Sequence, residues 1–230
     1  MSPSPHSIDR TQPTDLHTPR LPLAGIMPFS VTDWPDMITV TAFTQGCPLR
    51  CTYCHNPGLQ GYTPGAHTFT EALALMDERA QLVDALVISG GEPLAHAGLG
   101  AAIALAHDHG HKVGLHTCGY SPARLGRLLG DAKTRPEWIG FDLKSLPAHL
   151  PAVTGATSTM AQGMWKSLDL VTAAAREYGM GVQLRTTVWP GGIVELDLPE
   201  LKAAARARGM DLVVQWARGC DAAGNYIGPA

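Results

Sequence analysis

Apolar and polar positions along this chain change period repeatedly. Short β-branched or apolar runs alternate with stretches whose apolar residues recur at helical spacing. The runs predict strands at 37–43 (MITVTAF), 85–90 (ALVISG), 112–117 (KVGLHT), 138–144 (WIGFDLK), 182–189 (VQLRTTVW) and 211–217 (DLVVQWA). Helices are predicted between them, over 70–82, 99–110, 121–130, 163–179 and 197–209. Thr68 and Thr70 stand where a helix N-cap belongs, and Gly110, Gly130, Gly179 and Gly209 where helices should stop.

Strand and helix in strict alternation imply right-handed crossovers and a parallel sheet. The strands are nearly continuous apolar runs, as expected when both faces are covered. Six such units are too few for an eight-stranded barrel. An open, partial (β/α)6 barrel with parallel strands and a doubly wound sheet both satisfy the pattern. In either, ligands gather at the carboxyl ends of the strands.

The residues just past each strand are therefore informative. The first strand runs into a cysteine-rich loop, the second into GGEP (90–93), the third into TCGY (117–120), and the fourth ends in DLK (142–144). The fifth carries Arg185 and continues into WPGG (189–192). Glycines and polar groups collect at one mouth, the pattern of an active site.

The loop FTQGCPLRCTYCHNPGL places three of the five cysteines, Cys47, Cys51 and Cys54, within eight residues. Gly46 enters the loop and Pro48 stiffens it, so three thiolates can converge on one metal centre. A structural zinc site usually has four protein ligands, and so does an ordinary 4Fe–4S electron carrier. Either a fourth ligand closes a zinc site, with Cys118 at the same mouth a stronger candidate than His55, which adjoins Cys54, or the fourth position stays open for a substrate or cofactor. Cys118 and Cys220 read more simply as small, partly buried apolar residues. Arg185 in a buried strand needs an anion, since unpaired burial is costly; a cofactor carboxylate and Glu92 are both candidates. His107, His109 and His111 alternate at a helix end, where a solvated C-terminal turn is favoured over metal binding.

Composition narrows the setting. The 230 residues are 45% hydrophobic with a formal net charge of −3, and they contain no run rich in lysine or arginine. That excludes the basic footprint of a nucleic-acid binder. No stretch approaches the roughly 18 apolar residues of a membrane span. Residues 1–24 read as a proline-rich, disordered leader without the apolar core of a signal peptide, 25–218 as the fold, and 219–230 as a tail. A cytoplasmic address is expected, where closely spaced cysteines serve metal or redox chemistry.

CxxxCxxC with Tyr53 before its last cysteine, followed by GGE and DLK in that order, resembles the radical S-adenosylmethionine enzymes. The segments GIMPFSVTDWPDMITVTAFTQGCPLRCTYCHNPGL, VISGGEP, FDLK, VTGA (153–156) and RTTVWPGG are similar to activating proteins of anaerobic ribonucleoside-triphosphate reductase. Pyruvate formate-lyase activating enzyme is a more distant likeness, and the similarity covers residues 25–218.

The resemblance implies a partial barrel and a 4Fe–4S cluster with three cysteine ligands, Cys47, Cys51 and Cys54. It makes S-adenosylmethionine the cofactor that completes the fourth iron. It implies that Gly90, Gly91 and Glu92 receive the methionyl ammonium, and that Asp142 and Lys144 contact the same cofactor, with Arg185 beside its carboxylate. Tyr53 and His55 would then meet the adenine edge, largely through backbone. The implied reaction is formation of a glycyl radical on a large partner, with anaerobic ribonucleoside-triphosphate reductase favoured and flavodoxin or ferredoxin as reductant. Another glycyl-radical enzyme or a small molecule are the alternative targets; a zinc or iron–sulfur binding module is the non-enzymatic one. One departure stands out: relatives commonly have asparagine at the position of Cys118.

Overall fold

The computed structural model describes residues 19–221 and 223–228. Seven strands form one open sheet in sequence order: β1 (Leu23–Ser30), β2 (Thr39–Thr44), β3 (Ala85–Gly90), β4 (Lys112–Thr117), β5 (Trp138–Asp142), β6 (Gly181–Val188) and β7 (Leu212–Trp216). The six strands from β2 to β7 are parallel and β1 is antiparallel to β2. The expected partial (β/α)6 barrel is present, extended by this antiparallel edge strand.

Helices α1 (Phe69–Glu78), α2 (Leu99–Asp108), α3 (Pro122–Gly130), α4 (Leu150–Thr154), α5 (Ser158–Tyr178), α6 (Ile193–Leu196) and α7 (Leu198–Arg206) fill the crossovers. Thr68 and Thr157 cap α1 and α5 by accepting hydrogen bonds from the amides of Glu71 and Met160. Gly179 stops α5 in the left-handed conformation at φ 67°. Gly130, expected as a stop, is instead the last residue of α3, and the extended Asp131 ends it.

Alternation along each strand divides the core in two. Leu86, Ile88, Val113, Leu115, Ile139, Phe141 and Leu184 pack outward against Phe69, Leu73, Ile103, Leu125, Leu168, Val171 and Leu201 of the helices. The inward face changes character along its length. At the base, where the parallel strands begin, Ala85, Val87 and Trp138 pack around Trp34 from the β1–β2 hairpin. The two indoles stack with centroids 5.4 Å apart. Gly114 makes room for them, because a Cβ there would lie 2.7 Å from the Trp34 ring. Nearer the mouth the inward positions become Ser89, His116, Asp142, Arg185 and Thr187, which line a cavity.

The fold reaches beyond 25–218. Leu21 and Leu23 are buried in the core. After β7 the chain turns back over the cysteine loop, where the Tyr226 amide donates to the Thr52 carbonyl at 3.0 Å. Most of the leader, residues 1–18, lies outside the described residues. Among the described residues, no helix is long and apolar enough to cross a membrane.

Candidate active site

The cysteine loop is held by two neighbouring segments. The Arg50 and Thr52 amides donate to the carbonyls of Thr154 and Val153 at the end of α4, at 2.7 and 3.1 Å. The Gly46 and Cys47 amides donate to the Leu59 and Gln60 carbonyls at 2.8 and 3.3 Å. The Gln45 side-chain Nε2 donates to the carbonyls of Gly58 and Gly61 at 3.0 and 2.6 Å. Gly46 sits at φ 118°, and a side chain there would strike the Tyr62 ring. The loop is thus a fixed turn rather than a slack connection.

Cys47, Cys51 and Cys54 are all partly buried free thiols, and all three line one cavity of about 220 Å³ at the mouth of the sheet. Burial pushes the Cys47 thiol up to about 12 and raises the Cys51 thiol as well. Thiolates at these positions therefore need an adjacent metal to carry the opposite charge. Three soft donors opening into one cavity, unpaired by any disulfide, are a donor set that fits an iron–sulfur cluster.

Gly90 and Gly91 form the opposite wall. Gly90 has φ 116°, and a Cβ on either residue would collide with backbone, at Thr44 for Gly90 and at Gly46 for Gly91. The Gly91 and Glu92 amides donate to the carbonyls of Thr44 and Gly46, each at 3.0 Å. The glycine pair is what lets the end of β3 lie against the start of the cysteine loop. Glu92 has a buried carboxylate with four protein donors. The Leu94 amide and Thr117 hydroxyl reach one oxygen at 3.0 and 2.5 Å; the Cys118 amide and thiol reach the other at 3.0 and 2.9 Å. The Cys118 thiol is thus committed to Glu92, which ties the ends of β3 and β4 together.

Arg185 finds its anion in Asp142, whose carboxylate it meets through Nη2 at 2.8 Å and Nε at 3.0 Å. Glu92, offered by the sequence as a candidate partner, faces β4 instead. Asp142 and Arg185 are direct neighbours in the β5–β6 register, which sequence alone does not reveal. Lys144 lies 3.6 Å from the same carboxylate and 5.6 Å above the Tyr53 ring. Burial disfavours the charged carboxylate, yet Arg185 and Lys144 outweigh it and hold Asp142 at about 2. Burial likewise opposes the Lys144 charge, and Tyr53 and Asp142 reverse that, so its value lies well above the ordinary one.

The sequence model of the radical SAM superfamily matches residues 41–195, which is most of the fold and all of this cavity wall. This chain belongs to the radical SAM superfamily. A 4Fe–4S cluster held by cysteines and S-adenosylmethionine are accordingly its cofactors.

Among named relatives of this radical SAM protein, a Methanocaldococcus jannaschii protein called a glycyl-radical enzyme activating enzyme is 29% identical over 123 residues. That alignment covers 53% of this chain and 50% of the relative. Pre-heme d1 synthase of Dinoroseobacter shibae is 27% identical over 181 residues, 77% of this chain and 42% of its own length. The chain therefore aligns with half or less of these relatives. Among solved structures, Streptococcus suis SuiB bound to S-adenosylmethionine superposes with TM-score 0.57 at 14% identity, over 81% of this chain and 42% of that one. TYW1 with a lysine-pyruvate adduct gives 0.56 at 13%, over 77% and 64%. These two share the fold.

Every residue singled out in the sequence as a cofactor or cluster contact borders the cavity, though not each in the way anticipated. Tyr53 is only 5% exposed, its ring set against Trp189 at 5.6 Å. Its hydroxyl has no hydrogen-bond partner among the described residues. His55 is exposed; its Nε2 lies 2.9 Å from the Arg218 carbonyl and its ring meets Tyr226 edge-on.

Sequence reasoning missed Ser89, Thr117, Thr187 and above all His116. Nε2 of His116 donates to the Asp33 carbonyl at 2.6 Å, and Nδ1 accepts from the Ser89 hydroxyl at 3.1 Å. With that tautomer the Arg185 guanidinium, 3.2 Å away, is a charge neighbour and not a donor to it. Burial first and Arg185 second lower His116 to about 4, so the ring is neutral. The available signal was alternation: His116 shares the inward face of β4 with Gly114.

Proposed function

We propose that this chain uses a 4Fe–4S cluster on Cys47, Cys51 and Cys54 to cleave S-adenosylmethionine reductively, and that the target is a glycine in a large partner enzyme. The observation that carries this reading is a cavity bordered by three uncommitted cysteines and no fourth. The one remaining cysteine on its wall, Cys118, spends its hydrogen on Glu92. Cys47, Cys51 and Cys54 would hold the cluster, and S-adenosylmethionine would complete it where no further cysteine is offered.

With cluster and cofactor bound, the pair supplies one-electron cleavage to methionine and a 5′-deoxyadenosyl radical. This chain's part is positioning and exclusion of water. Gly90 and Gly91 present backbone with no side chain in the way, which suits carbonyls accepting from the methionyl ammonium. Glu92 holds that backbone in place through β4. Arg185 and Lys144 share a single carboxylate, Asp142, so the trio keeps one net positive charge. That charge suits the cofactor's carboxylate. His55 and Tyr53 border the adenine side, Tyr53 by its backbone, since its ring is spent in the core.

Relatives named as glycyl-radical enzyme activating enzymes support a protein target. The motif resemblance favours anaerobic ribonucleoside-triphosphate reductase, with flavodoxin or ferredoxin as electron donor in the cytoplasm. A second reading, radical chemistry on a small molecule, is favoured by the relative whose alignment covers 77% of this chain, pre-heme d1 synthase.

Anaerobic reconstitution with iron, sulfide, a reductant and S-adenosylmethionine is expected to yield 5′-deoxyadenosine. Adding the reductase is expected to produce a glycine-centred radical signal. Absence of 5′-deoxyadenosine sinks the whole reading. Its formation without any radical on the reductase or another glycyl-radical enzyme transfers the case to the small-molecule alternative.

A further inference from the structure

At the base of the sheet, opposite the cysteine loop, α1 and α2 end against each other. Asp77 lies in the last turn of α1, His109 follows α2 directly, and His111 comes two residues later, just before β4. Nδ1 of His109 is 3.1 Å from one Asp77 oxygen, and Nε2 of His111 is 2.7 Å from the other. One ligand atom from each of the three lies within 4.8 Å of the others. The turn is set by Gly110 at φ 83°, by the Gly110 amide donating to the His107 carbonyl at 2.8 Å, and by the His111 amide donating to the Ala106 carbonyl at 3.0 Å. His107 belongs to a different group: its two ring nitrogens are 2.9 Å from the Lys133 carbonyl and 3.2 Å from Glu137. The alternating histidine tract is thus divided, with its last two members converging on one carboxylate.

We propose that Asp77, His109 and His111 bind a divalent transition metal of the zinc class, fastening the end of α1 to the turn between α2 and β4. Two imidazole nitrogens and a carboxylate oxygen are a ligand set such ions accept, and three protein ligands leave a position for water. To bind, each neutral imidazole carries its hydrogen on the other ring nitrogen and presents a lone pair to the ion. An ordinary carboxyl is already ionised at neutral pH, so no proton has to leave Asp77. A dication on one carboxylate leaves one net positive charge. The carboxyl ends of two helices, α1 and α2, converge there, and their exposed carbonyls favour a cation. The site is structural: it lies at the opposite end of the strands from the thiols and takes no part in the cavity chemistry.

The test uses the cluster-loaded protein, whose active-site thiols are already occupied, desalted anaerobically and titrated with zinc chloride against a chromogenic chelator. The expected result is one equivalent of zinc beyond the cluster iron. Affinity should fall at least about tenfold in Asp77→Asn, His109→Asn and His111→Asn and stay unchanged in His107→Asn. Zinc should also raise the melting temperature of the parent protein but not of Asp77→Asn. Circular dichroism and cluster absorbance identify any variant that fails to fold, and the remaining two ligand variants then decide. No extra equivalent in the parent, or an equivalent retained by all folded ligand variants, would show a hydrogen-bonded cluster only and overturn the proposal.

Discussion

The two ends of the barrel interior are built from the same strands with opposite chemistry. At the base, β3, β4 and β5 contribute Ala85, Val87, Gly114 and Trp138, and a hairpin tryptophan seals the space between them. At the mouth, the same faces of those strands contribute Ser89, His116 and Asp142, with Arg185 and Thr187 from β6. One end excludes water with aromatic surface. The other gathers Asp142, Arg185 and Lys144 around one cavity. Stability and chemistry are thereby separated along the strand axis, so a substitution at one end should leave the other largely intact.

Replacing Cys51 by alanine is the largest expected effect on function. It should abolish cluster absorbance and 5′-deoxyadenosine formation, while the circular dichroism spectrum stays that of the parent. A variant that loses its fold instead would break the separation. Trp138→Ala, at the base, is expected to do the reverse. It removes an aromatic side chain stacked on Trp34 and should cost roughly 3–5 kcal/mol in denaturant unfolding. The protein that remains folded should still load iron.

His116 sits between the two regimes, and its pH response sharpens the comparison. Its ordinary value of 6.5 falls to about 4 in the folded protein, so between those values the unfolded chain takes up a proton that the native chain refuses. Stability from this source is complete above about pH 6.5, declines as pH falls toward 4 and then levels off, a loss of up to about 3 kcal/mol. Unfolding curves measured across that range should show the decline, and His116→Gln should flatten it. Smallest of all is Tyr53→Phe. The buried hydroxyl has no partner among the described residues, so its removal should change stability by no more than about 1 kcal/mol, in the stabilising direction. A large loss of cofactor cleavage in Tyr53→Phe would mean that the hydroxyl serves the cofactor after all.

Legibility in the sequence divides along physical lines. The parallel strands β2 to β5 announced themselves because burial on both faces leaves continuous apolar runs, and β6 and the more exposed β7 by their β-branched residues. Strand β1 did not. LAGIMPFS is interrupted by Gly25 and Pro28, and an edge strand tolerates both. Helix α5 begins at Ser158 rather than 163, since STMAQG carries little apolar periodicity and its start is set by the Thr157 cap. In the site, residues in contiguous motifs were readable: the cysteine loop, GGE and DLK. The features that escaped depend on register between strands. The Asp142–Arg185 pair spans two strands, and His116 owes its role to Asp33, 83 positions away on a hairpin. Cys118 reads from the sequence as a small apolar residue; its contact with Glu92 again joins two strand ends.

The segment that folds back from β7 has a consequence for the order in which this protein is made. Cys47, Cys51 and Cys54 are made before β3 to β7. Thr52 and His55 acquire their contacts with Tyr226 and Arg218 only after all seven strands have been made. The nascent loop therefore lacks its clasp while the seven strands are being made, and iron loading into a finished pocket has to wait for the segment that follows β7.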